Sequence, residues 1–172
     1  MLDDYVIMAC DSQVSIGQKQ HTLATPKIWK TGHYVIGGTG SLVGIQAIKY
    51  YTDWPDPQNI SAEKFGVRYV VPAIFKAAEE ARQLSHKDGV RWMEASFLVG
   101  YEDKLISVGS YGTVMVHEYE AIGSGGSYAL GVLSHGTLSE DLVQHAVNAA
   151  TVHDRGSSGP ICTLTTKRGS QG

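Results

Sequence analysis

Gly123-Ser124-Gly125-Gly126 leads straight into the apolar segment Tyr128–Leu133, and 30 residues after Ser124 comes Asp154, in Asp154-Arg155-Gly156-Ser157-Ser158-Gly159. Two small-residue loops carry hydroxyls and one carboxylate, and each adjoins a predicted helix end. A surface loop seldom needs Gly-Ser-Gly-Gly unless its backbone passes close to another group. The pair therefore points to a site built around something polar.

The rest of the chain narrows what that site can be. With 172 residues, 42% of them hydrophobic and 18% charged, the chain is long enough for a real core and is expected to form one domain over 1–172. A net charge of −3 gives no electrostatic footprint for nucleic acid. Apolar runs are only a few residues long, so no membrane span is expected. Met1-Leu2-Asp3-Asp4 is acidic and unlike a signal peptide. Cys10 and Cys162 sit in strand-like runs and read as buried free thiols of a cytoplasmic protein. The seven histidines show no metal-ligand spacing, so neither a metal nor a cofactor is expected.

Tyr5–Cys10 is almost continuously apolar, as a strand buried on both faces would be. Val14–Gly17, Leu23–Trp29 and His33–Gly38 read as further strands, with a turn at Gly37-Gly38-Thr39-Gly40. A helix is expected from Ser41, with Leu42, Ile45 and Ile48 on one face. Ser61 caps a second helix, which Pro72 either kinks or starts. Phe97–Gly100, Leu105–Gly109 and Thr113–His117 read as strands, and a short helix begins near Ser127. Ser139 caps the last long helix, whose buried face is Leu142, Val143, Ala146, Val147 and Ala150. Ile161–Thr165 is a closing strand, and the tail Lys167–Gly172 is expected to fray. Helices arriving in pairs between groups of strands argue against alternating βαβ units. Two sheets enclosed by helix layers, an α+β four-layer αββα sandwich, cover both faces of such strands.

This order resembles the proteasome β-subunit and HslV family of N-terminal nucleophile (Ntn) hydrolases over about Tyr5 to Thr165. Val6-Ile7-Met8-Ala9-Cys10-Asp11-Ser12 looks like the family strand that ends in an acidic residue, and Lys27 follows Asp11 at the family's interval of 16. Ile36-Gly37-Gly38-Thr39-Gly40 is similar to its glycine turn. Ala121-Ile122-Gly123-Ser124-Gly125-Gly126-Ser127-Tyr128-Ala129 is close to the HslV version of the next element, and Asp154-Arg155-Gly156-Ser157 looks like the family's Asp-x-x-Ser loop. Any one of these is a weak signal; together, in order and at the right spacing, they are specific.

The resemblance implies a threonine endopeptidase acting on polypeptides, in which an N-terminal hydroxyl attacks and the same residue's α-amine is the base. It implies that Lys27 lowers the amine's pKa and that Asp11 holds Lys27 by an ion pair. Ser124, Asp154 and Ser157 would surround the amine, and the N–H of Gly37 would stabilise the oxyanion. It further implies a ring of identical subunits, with a separate ATP-dependent unfoldase as partner. The nucleophilic threonine is expected about six residues upstream of Met1, with its half-strand. The Lys27–Gly37 connection is slightly shorter than the family's, and Ser158-Gly159-Pro160 stands where a Gly-Gly pair is usual. The competing reading within the family is a non-catalytic assembly subunit, which would need none of these polar side chains. A dinucleotide-binding loop at Gly37–Val43 is disfavoured, because the third glycine is missing and no βαβ unit surrounds it.

Overall fold

The computed structural model describes residues 5–16 and 19–166. Gly17, expected to end a strand, and the tail Lys167–Gly172 lie outside the described residues. A five-stranded antiparallel sheet is built from β4 (Ile28–Thr31), β5 (Tyr34–Gly40), β8 (Ala95–Tyr101), β9 (Lys104–Val108) and β10 (Val114–His117), in the order β10-β9-β8-β5-β4. Facing it is a smaller sheet of β1 (Ile7–Cys10) paired with β11 (Cys162–Thr165). Two hairpins, β2 (Gln13–Ile16) with β3 (Lys19–Thr22) and β6 (Ser85–Lys87) with β7 (Val90–Trp92), complete the strands.

Side-chain alternation along the central strands separates two apolar layers. Tyr34 and Ile36 of β5 and Phe97 and Val99 of β8 point to one face, beneath helices α1 (Leu42–Tyr51) and α3 (Val71–Glu80). Val35 and Leu98 point to the other face and meet Met8 of β1 and Val6 just before it. Helices α4 (Gly126–Leu133) and α5 (Glu140–His153) pack together through Ala129, Leu133 and Ala146, and α5 lies against β1. The four layers are thus helix, sheet, sheet, helix, the expected sandwich. Each large aliphatic or aromatic side chain buried in these layers contributes roughly 1.5–3 kcal/mol relative to exposure.

Helix starts follow their caps. Ser41 accepts a hydrogen bond from Gly44 N, Ser61 from Lys64 N and Ser139 from Leu142 N. Pro72 marks a start, as one of the two expectations had it: α3 begins at Val71. A short α2 (Ala62–Phe65) runs into a π-turn at Gly66–Val70, which delivers Pro72 into the first turn of α3. There its missing N–H removes no intrahelical bond.

Three local expectations are corrected. Gly37–Gly40 is not a turn but the second half of β5. A Cβ on Gly38 would lie 3.0 Å from Ile45 and Phe97, and one on Gly37 would lie 3.2 Å from Ile28 and Met8. These glycines serve close packing on both faces, not chain reversal. The strand expected over Leu23–Trp29 is displaced: β3 ends at Thr22, the chain bends at Ala24–Thr25, and β4 starts only at Ile28, after Pro26. The β6–β7 hairpin was unforeseen because its strands are short and largely exposed. Its turn, Asp88-Gly89, has φ of 51° and 78°, both positive, as a tight two-residue hairpin requires.

Candidate active site

The end of β1 hands the chain to Asp11, and the bend before β4 presents Lys27 to it. Lys27 Nζ donates to Asp11 Oδ1 at 2.6 Å, with only 20% and 13% of the two side chains exposed. The other oxygen, Asp11 Oδ2, accepts from the backbone N–H groups of Gln13 at 3.0 Å and Ser158 at 3.2 Å. An ammonium on one oxygen and two amides on the other fix the carboxylate in position.

The opposite wall comes from the two small-residue loops. Ser124 Oγ donates to Asp154 Oδ2 at 2.7 Å, and Ser157 Oγ donates to the same oxygen at 2.8 Å. These bonds, Ser124's foremost, hold the Asp154 carboxyl below its usual range. Burial opposes them less strongly than either serine, and the Gly156 N–H and the charge of Lys27 add still smaller effects in the lowering direction. A Cβ on Gly156 would lie 2.5 Å from Ser124 Oγ, and one on Gly125 would lie 2.9 Å from Ser157 Oγ. The glycines of both loops are what let the hydroxyls close on the carboxylate.

Gly37, expected to aim its N–H at the site, does not. Gly38 N donates to Lys27 O at 3.2 Å, and Ser41 N donates to Glu94 O at 2.6 Å. Neighbours in an antiparallel ladder point to opposite sides, so the N–H of Gly37 is directed to its partner Leu98 in β8. By the same alternation the N–H of Gly40 points away from β8, where β4 has already ended. Gly40 has φ of +103°, and a Cβ there would lie 2.4 Å from Glu94 O. Gly40 is therefore the candidate backbone donor, its N–H on the opposite edge of β5 from that of Gly37. The signal for it was present as the last glycine of the run, but its direction depends on strand register.

A trough of about 470 Å³ runs from this cluster along β1, lined by Tyr5–Asp11 on one side and by Ala146, Val147 and Ala150 of α5 on another. It explains why Val143 and Val147, expected on the buried face, are only half-buried; Leu142, off the trough lining, is half-buried as well. Thr166 N donates to Val6 O, so the backbone groups of Ile7 and Ala9 point away from β11. Among the described residues no strand pairs with that edge. Further along the trough, His117 Nε2 lies 2.8 Å from Ser107 Oγ, and His117 Nδ1 lies 3.3 Å from Glu120. Ser107 is buried off the trough lining, and this relay ties β10 to β9. Cys10 and Cys162 stand opposite each other across β1 and β11 as half-buried free thiols. Among the described residues no group of His, Cys, Asp or Glu could hold a metal ion, and no helix is long and apolar enough to cross a membrane.

A profile of the proteasome subunit family matches residues 1–161. No curated protein matches the chain. Among solved structures, BPH of Thiobacillus denitrificans is 23% identical, with a TM-score of 0.78 over 95% of this chain and 92% of that one. The same protein in complex with epoxomicin is 20% identical, with a TM-score of 0.77 over 96% and 94%. The eukaryotic HslV of Trypanosoma brucei is 20% identical, with a TM-score of 0.65 over 96% and 95%. The structural likenesses extend over nearly the whole fold and agree with the profile: the chain belongs to the proteasome subunit family.

Proposed function

We propose that this chain is a peptide-hydrolysing member of its family, using an N-terminal threonine about six residues upstream of Met1. The observation that carries this reading is the convergence of Asp11–Lys27 and Ser124–Asp154–Ser157 at one end of a trough beside an open strand edge. A segment preceding Met1 would pair antiparallel with Ile7 and Ala9 and bring its first residue back to Lys27. A scaffold has no need of this set of polar side chains, because burying them costs energy unless they are paired.

In the proposed reaction the threonine hydroxyl attacks the peptide carbonyl and its proton passes to the α-amine. An α-amine has an ordinary pKa of roughly 8, and the adjacent Lys27 ammonium lowers it toward working pH. Ser124 and Ser157, both hydrogen-bonded to an ionised Asp154, would orient the amine. The N–H of Gly40 would receive the oxyanion. The amine then protonates the departing peptide nitrogen, and water hydrolyses the ester that remains.

Proteasome-family subunits assemble into rings, and we extend this to a ring of copies of this chain. The HslV likeness supports polypeptide substrates and an ATP-dependent unfoldase as partner. Free thiols at Cys10 and Cys162 fit a reducing compartment such as the cytoplasm. The test is hydrolysis of a fluorogenic peptide by the protein with its natural N-terminus, with and without epoxomicin, the ligand of the Thiobacillus protein. Hydrolysis that epoxomicin blocks is the expected result. An assembled protein that hydrolyses no peptide and binds no epoxomicin belongs instead to the non-catalytic kind.

A further inference from the structure

The loop between α5 and β11 has little regular structure of its own, yet it carries Asp154 and Ser157. Its one internal backbone bond is Ser157 N to Asp154 O at 3.2 Å. Beside the bonds to Ser124 and Asp11, support comes from the neighbourhood of the β2–β3 hairpin. Ser12 N donates to Ser158 O at 3.1 Å, and Ser12 Oγ donates to Pro160 O at 2.6 Å. Gln13 Nε2 and Gln20 Nε2 both donate to the carbonyl of Arg155, each at 2.9 Å. Gln20 is exposed, whereas Gln13 is only 3% exposed.

We propose that Gln13 is a positioning residue that holds the Asp154 loop at its working distance from the Asp11–Lys27 pair. Its backbone N–H is bonded to Asp11, and its side chain is bonded to Arg155, so one residue touches both halves of the site. The geometry of the peptide group carries the effect further. The carbonyl of Arg155 and the N–H of Gly156 belong to one planar trans peptide and point in opposite directions. Fixing the carbonyl on Gln13 therefore aims the N–H of Gly156, a residue whose Cβ position lies 3.1 Å from Asp154 Oδ2 and whose N–H acts to lower that carboxyl's pKa. An amide is suited to the task, since it donates to a carbonyl from a buried position without bringing in a charge. Gln20 supplies a second donor to the same oxygen, so the two glutamines should act together.

The test is titration of the Asp154 carboxyl by carbon-13 NMR in the parent, in Gln13→Met, in Gln20→Met and in the double variant. The expected result is little change for Gln20→Met, an upward shift of the midpoint for Gln13→Met, and the largest upward shift for the double variant. Gln13→Asn, too short to reach Arg155, should shift it in the same direction and provides the measurement if Gln13→Met does not fold. A midpoint unchanged in folded Gln13→Met or Gln13→Asn, and unchanged again when Gln20→Met is added, overturns the proposal. A merely structural role would lower Tm without moving that midpoint. The catalytic arm rests on the peptidase reading: kcat should fall about tenfold or more with KM little changed. Because the titration needs no activity, its failure and the failure of the peptidase reading are separately visible.

Discussion

Replacing Lys27 with alanine is expected to lower peptide hydrolysis about a thousandfold while the ring stays assembled. Among the described residues the ammonium is the one cation bonded to Asp11, and its charge also reaches Asp154. Without it the α-amine beside these two carboxylates would be held protonated at neutral pH and could not serve as base. Stability should suffer less than activity. Asp11 keeps its bonds from Gln13 N and Ser158 N, so the loss should be about 1–3 kcal/mol. Peptidase kinetics, native mass spectrometry and thermal unfolding on one preparation separate the two effects. Retained hydrolysis would remove Lys27 from the mechanism.

Gly40→Ala should damage both stability and turnover. A side chain there must tolerate φ of +103° and a carbonyl 2.4 Å from its Cβ, so β5 or the Glu94–Ala95 backbone has to shift. A cost of about 2–4 kcal/mol corresponds to a fall in Tm of about 5–15 °C for a domain of this size. The shift would also turn the N–H away from the oxyanion, lowering kcat about a hundredfold. The control is Gly32→Ala, where φ is also positive, at +51°, but no atom lies within 4 Å of the added Cβ. It should cost less and leave turnover intact. If Gly40→Ala matches Gly32→Ala in both Tm and kcat, Gly40 has no special place in the site.

What could be read from the sequence, and what could not, divides along the range of the interactions. Ser41, Ser61 and Ser139 cap helices through bonds spanning three residues, and such local chemistry is visible in a short window. The meeting of Asp11 with Lys27, and of Ser124 with Asp154 and Ser157, was legible through family spacing alone, since no local rule links residues 30 positions apart. Glycine runs were ambiguous. The same composition serves a turn or a strand packed closely on both faces, and at Gly37–Gly40 the neighbours Ile45, Phe97 and Met8 decide for the strand. That choice moved the candidate backbone donor from Gly37 to Gly40. Gln13 carries no motif, and its role emerges only when the hairpin is set against the Arg155 carbonyl. The trough, likewise, follows from where β1 and α5 come to rest.

The central claim is that the Lys27–Asp154 end of this trough receives an N-terminal amine. N-terminal sequencing and intact mass of the natural, assembled protein test it most directly. The predicted result is a mature chain that begins with threonine about six residues before Met1 and carries a free α-amine. An assembled protein whose natural chain starts at Met1, with no threonine ahead of it, would contradict the claim.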